Sequence, residues 1–203
     1  MRDSMHSHGS ALENTDRLEA FSDGVMAVII TLMAFSVKAP DAPTWSALHH
    51  TGPALLVYVL SFSMVGIYWN NHHHLLRTTQ RISGPVMWCN LSLLFWLSLL
   101  PFATSWIGRF PNNVASVVTY GLVSLGAGIS FSFLVHAIVH ANGADSEVGR
   151  AVAGDLKGVT SIGLYALGSA LGFVSALAAF ICFGLVAVMW VIPDRRFVRR
   201  HAH

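Results

Sequence analysis

The chain has 203 residues, of which 54% are hydrophobic and only 11% charged, with 12 Lys+Arg against 10 Asp+Glu and a net charge of +2. Water-soluble domains carry about a quarter charged residues, so this composition, with a mean hydropathy of +0.57, excludes a water-covered globule and identifies an integral membrane protein. No nucleic-acid partner is expected.

Residues 1–16 are polar, with His6, His8, Glu13 and Asp16, and lack the cationic and apolar regions of a cleaved signal peptide. The first span is therefore expected to be retained, preceded by a polar cytoplasmic tail. It runs over 18–37 and opens on Arg17-Leu-Glu-Ala-Phe21-Ser22-Asp23. A carboxylate at a helix centre costs about 2.5–3.5 kcal/mol on insertion, so Asp23 at the mouth of a span is a functional pointer.

Further apolar runs lie at 52–75, 86–107 and 114–141, each long enough for a bilayer core of roughly 30 Å. Breaker clusters separate them: Pro40 and Pro43, Gly84-Pro85, Pro111-Asn112-Asn113, and Asn142-Gly143. The apolar stretch 158–192 is too long for one crossing. A helical hairpin turning near Phe173-Val174-Ser175 divides it into a fifth span, beginning near Ala153, and a sixth. Trp45, Trp88, Trp106 and Trp190 fall near span ends, as an interfacial belt requires, whereas Trp96 is expected between helices. Cys89 and Cys182 lie in apolar segments and read as small hydrophobes, not as a disulfide framework.

Charge selects six spans over five. With six, both termini share a side with the loops after the second and fourth spans, and that side collects ten of the twelve basic residues, leaving Lys38 and Arg109 opposite. The positive-inside bias places that side in the cytoplasm. The expected layout is an all-α, six-span membrane domain over 17–193, between a polar tail at 1–16 and a basic cytoplasmic tail at 194–203.

Within the first span, Gly24, Val28, Thr31 and Phe35 share one narrow helix face, opposite Met26, Ile29, Met33 and Val37. Two readings stand. Small and hydroxyl residues at this spacing form common helix–helix packing stripes in membranes. The same stripe from several subunits around an axis would instead give rings of Val28 and Phe35 flanking a hydroxyl ring of Thr31. Apolar rings gate by dewetting, and hydroxyls replace part of an ion's water shell.

Arg17 and Asp23 are six residues apart and poorly placed to bridge on one helix, while Glu19 and Asp23, four apart, repel slightly as like charges. Arg17, Ser22 and Asp23 are therefore expected to find partners on other helices, foremost in Trp69-Asn70-Asn71-His72-His73-His74 at the end of the second span.

Arg17-x-x-x-Phe21-Ser22-Asp23, continuing through Gly24-Val25 to Ile30-Thr31-Leu32, resembles the first span of the transmembrane protein 175 family of potassium channels. Agreement extends to Trp69-x-x-His72-His73, to Asn90-Leu91 and to Leu99-Leu100-Pro101-Phe102. The resemblance implies a prokaryotic plasma-membrane homotetramer, passing potassium and other monovalent cations through a pore lined by the first spans. It lacks the carbonyl filter loop of ordinary potassium channels. By position, Thr31 is then the threonine layer, Val28 the apolar constriction one turn before it and Phe35 the next layer outward. Arg17, Phe21, Ser22 and Asp23, with Trp69, His72, His73 and Asn90, become the network holding the pore helix. This chain departs from the family in carrying Phe35 where Leu or Ile is usual. It has Ser36 where an acidic residue often follows, removing an attraction for cations.

Eleven histidines raise an alternative. His72, His73, His74, His136 and His140 near span ends could serve a haem or metal protein, with His136 and His140 four residues apart on one face. Without a converging carboxylate or thiolate set, interfacial hydrogen bonding is the favoured role, and neither metal nor cofactor is expected. A secondary transporter is the other alternative. The fifth span carries Gly163, Gly168 and Gly172, but no convincing inverted partner stands elsewhere in the sequence. No nucleophile–base set or phosphate loop supports an enzyme.

Overall fold

The computed structural model describes residues 2–152 and 156–191, and these form eight α-helices. They are α1 (Arg2–Ser36), α2 (Trp45–Arg77), α3 (Gly84–Ser98), α4 (Leu100–Arg109), α5 (Val114–Asn142), α6 (Glu147–Val152), α7 (Leu156–Leu171) and α8 (Ala176–Val191). Four stretches are long and apolar enough to cross a membrane: Thr15–Ser36 within α1, α2, Gly84–Arg109 across α3 and α4, and α5. The basic tail at 194–203 lies outside the described residues.

Two features differ from the expectation. First, α1 begins at Arg2, so the helix continues through the polar tail, where no proline interrupts it. Second, the third span is broken at Leu99. Pro101 has no N–H to donate to the carbonyl four residues earlier, and the Leu99 N–H turns back to Trp96 O at 3.2 Å before α4 resumes. The described parts of α7 and α8 have 16 residues each, about 24 Å of helix; α7 opens beside 153–155 and α8 closes beside 192–203, so the expected start of the fifth span near Ala153 lies outside the described residues. The turn between them falls at 172–175, where the hairpin was placed, and Ser175 Oγ accepts from Ala178 N at 3.3 Å to start α8.

Helix ends follow their local chemistry. Thr44 caps α2 by accepting from Ala47 N, and Asn113 caps α5 by accepting from Ala115 N. Gly143 ends α5 at φ +94°, a conformation open to glycine. Asn142, just before it, accepts from the backbone N–H of Gln80 and Arg81 and donates to Arg81 O and Ile138 O. One amide thereby ties the loop after α2 to the end of α5.

In the packing order α5 is central, touching α3, α4, α7 and α8, while α1 packs against α2, α3 and α4. Close approach depends on small residues. A Cβ on Gly126 would fall 2.3 Å from the Trp96 ring, so the indole of α3 lies directly on α5, between helices as expected. The glycines of α7 divide in the same way: Gly168 meets Phe183 and Cys182 of α8, whereas Gly163 faces open space. Cys182 is buried, Cys89 half-buried, and both are free. Behind α1, Thr104 Oγ1 donates to Ser61 Oγ at 2.7 Å, Ser61 Oγ donates to Val57 O at 3.0 Å, and the Tyr120 hydroxyl lies 3.2 Å from Ser61. This buried polar chain joins α2, α4 and α5 and was not foreseen from the sequence.

Candidate functional site

The two faces of α1 have opposite fates. Met26, Ile29 and Met33 are 1%, 2% and 0% exposed and form part of the core. On the other side Val28 is 57% and Phe35 82% exposed, with Gly24 and Thr31 also open. The stripe is thus unpartnered among the described residues, and a packing role for it there would require another molecule. A Cβ on Gly24 would meet nothing within 4 Å, so no neighbour among the described residues demands a glycine there.

Thr31 Oγ1 donates to Ala27 O at 2.9 Å, in the helix's own preceding turn. That bond occupies the hydroxyl proton and leaves oxygen lone pairs free for a cation. Successive layers at Val28, Thr31 and Phe35 are about 4.5 and 6 Å apart along the helix axis.

At the start of the span the structure assembles part of the expected network. Ser22 is fully buried; its hydroxyl donates to Leu18 O at 2.9 Å and accepts from Asn90 Nδ2 at 2.9 Å. Asn90 Oδ1 lies 2.8 Å from His72 Nε2. A carboxamide oxygen only accepts, so Nε2 carries a proton and donates. One polar chain therefore runs from α1 through α3 to α2, all three members buried. Such a network is costly to break, because each loss strands a desolvated partner.

Next to it, His73 Nδ1 sits 2.5 Å from Glu19 Oε1, and its ring stacks on Trp69 with centroids 5.8 Å apart. Asp23 is half-buried, with Oδ1 shut from solvent and without a hydrogen bond. Sequence reasoning missed the role of Glu19, weighing it only against Asp23 on its own helix. Its partner stands on α2.

Arg17 and Phe21 do not join this cluster within the chain. Both are exposed and continue the Gly24/Val28/Thr31/Phe35 stripe toward the start of the span. The other histidines do not gather into a site among the described residues: His136 and His140 are exposed, and His136 Nδ1 bonds Ser132 O in its own helix at 2.7 Å.

Residues 17–101 match the family described as the endosomal/lysosomal potassium channel TMEM175. A protein named potassium channel from Chryseobacterium sp. (strain P1-3) is 44% identical over 180 residues, covering 89% of this chain and 94% of that one. The human endosomal/lysosomal proton channel TMEM175 is 32% identical over 113 residues, 48% of this chain and 22% of the human protein. The fold aligns with the crystal structure of a lysosomal potassium-selective channel TMEM175 homolog from Chamaesiphon minutus. Its TM-score is 0.77 at 28% identity, over 89% of this chain and 97% of that one.

Proposed function

The chain belongs to the TMEM175 family, which is one of channels and not of enzymes, and from that premise we propose that it conducts potassium passively across a membrane through a pore lined by α1. The observation that carries the reading is the exposed stripe of Gly24, Val28, Thr31 and Phe35 on a helix whose opposite face is buried.

The working unit is a homotetramer with six spans per subunit, α7 and α8 supplying the last two. Four copies of α1 surround the axis, consistent with closed cyclic symmetry. Val28 and Phe35 form apolar rings that close the pore when dry. Thr31 forms the oxygen layer that replaces lost hydration. The polar chain Ser22–Asn90–His72 braces the cytoplasmic end of α1, while Arg17 and Phe21 sit at the pore entrance. Other monovalent cations permeate to the degree that the Thr31 layer accepts them.

The membrane is the plasma membrane of a prokaryote, with both termini cytoplasmic. Support comes from Asn142, which gathers the loop after α2 to the end of α5, so Arg77, Arg81 and Arg150 share the end of the bundle where the Ser22 network sits. The domain occupies 17–193, flanked by tails at 1–16 and 194–203.

The test is potassium flux in proteoliposomes, comparing the parent with Thr31→Val. Robust parent flux and an altered potassium-to-sodium ratio in the variant are expected. Absence of cation flux in a correctly assembled protein would refute the channel, and unchanged selectivity would remove Thr31 from the filter.

A further inference from the structure

Glu19 and Asp23 are four residues apart on α1 and therefore leave the same face, where His73 of α2 meets them. One ligand atom from each lies within 4.8 Å of the other two, and all three side chains are half-buried. Glu19 Oε1 is 2.5 Å from His73 Nδ1, yet neither that nitrogen nor Asp23 Oδ1 has a hydrogen bond, and both atoms are shut from solvent. His72, buried beside them in sequence, likewise leaves Nδ1 without a partner.

Two carboxylates and an imidazole this close carry unmet electrostatic demand. A proton on His73 Nδ1 could bond Glu19, yet Asp23 Oδ1 would remain an orphaned acceptor. A shared cation satisfies all three donors together. One imidazole nitrogen with two carboxylate oxygens suits Zn²⁺ and similar divalent transition ions, held about 2.0–2.2 Å from each donor, with water completing the shell. Mg²⁺ and Ca²⁺ prefer oxygen-only shells. The stack of Trp69 on His73, 21° from parallel, fixes the ring plane as an outer support does in metal sites.

We propose that Glu19, Asp23 and His73 bind one divalent transition-metal ion per subunit and that the ion staples α1 to α2. Binding stands apart from the channel reading. Its consequence, a pore helix restrained and flux reduced, rests on that reading, and the two are measured separately.

The experiment is Zn²⁺ titration calorimetry on the full-length detergent-solubilised assembly, carrying alanine at His6, His8, His201 and His203 to silence the tails. One ion per chain is expected, with His73→Gln and Asp23→Asn each weakening affinity about tenfold or more. An anomalous-scattering map of the Zn²⁺-loaded parent, which needs no variant to assemble, is expected to place a peak among Glu19, Asp23 and His73. No stoichiometric uptake, affinity unchanged by His73→Gln in an intact assembly, or anomalous peaks only elsewhere would each overturn the proposal.

Discussion

Asn90 Nδ2 donates to Ser22 Oγ at 2.9 Å across 68 residues of sequence, and the other end of the same carboxamide accepts from His72. A single amide thus determines how the start of α1 sits against both α2 and α3. Its two-ended role explains why neither Asp nor Leu is an equivalent substitute: the first removes the donor to Ser22, the second removes both bonds.

Asn90→Ala is expected to destabilise the fold by about 1–3 kcal/mol, because it strands the buried His72 Nε2–H. Ser22→Ala should cost less, since it strands only the Asn90 Nδ2–H and leaves the bond between Asn90 and His72 in place. Thermal melting of the purified assembly, followed as loss of the oligomer peak, checks the order. Equal stability of Asn90→Ala and the parent would show that the chain of bonds contributes nothing.

Gly126→Ala places a methyl 2.3 Å from Trp96 Cδ2 and must push α3 away from α5. The expected loss is about 1–3 kcal/mol, as for other overpacked cores. Combining it with Trp96→Leu should recover part of that loss, and a double variant no better than additive would place the strain elsewhere.

These two sites show what the sequence makes legible. Periodicity and breakers located the four long spans to within a few residues, except that α2 begins at Trp45, seven residues ahead of the reading. The α7–α8 turn was visible in Phe173-Val174-Ser175 because a continuous apolar run exceeded a membrane's width. The break at Leu99 was signalled by Pro101 but hidden by unbroken hydrophobicity on both sides. Glu19 was missed because spacing rules describe one helix at a time, and its partner His73 lies 54 residues away on another. The exposed stripe of α1 was readable as a stripe. Whether it faced a neighbour in the same chain required the fold.

If Val28 forms a dewetted ring, Val28→Thr is expected to raise cation flux severalfold at nearly constant volume, by wetting the constriction. Phe35→Ala should do the same if the outer ring is the gate. Proteoliposome flux of the two variants identifies the tighter layer, and no change in either would show that the pore is not gated by apolar rings at Val28 and Phe35.

Ser36 follows Phe35 on α1, its hydroxyl donating to Met33 O at 2.7 Å. Ser36→Glu should attract cations to that mouth and raise conductance about twofold at low ionic strength, an advantage fading as salt screens the charge. Conductance measured at low and high potassium tests it; an increase independent of salt would contradict the electrostatic cause.

Cysteine scanning separates the two faces of α1. In a background of Cys89→Ser and Cys182→Ala, Val28→Cys and Thr31→Cys are expected to become sensitive to Cd²⁺ block relative to the cysteine-free parent. Met26→Cys and Ile29→Cys, buried in the core, should not. Block at the buried positions alone would invert the assignment.

The most direct measurement is a symmetry-resolved particle reconstruction of the protein in a lipid nanodisc. Four subunits are expected around one axis, α1 innermost, with Val28, Thr31 and Phe35 pointing into the pore. A closed assembly in which that stripe of α1 faces lipid or a helix away from the axis would contradict this arrangement.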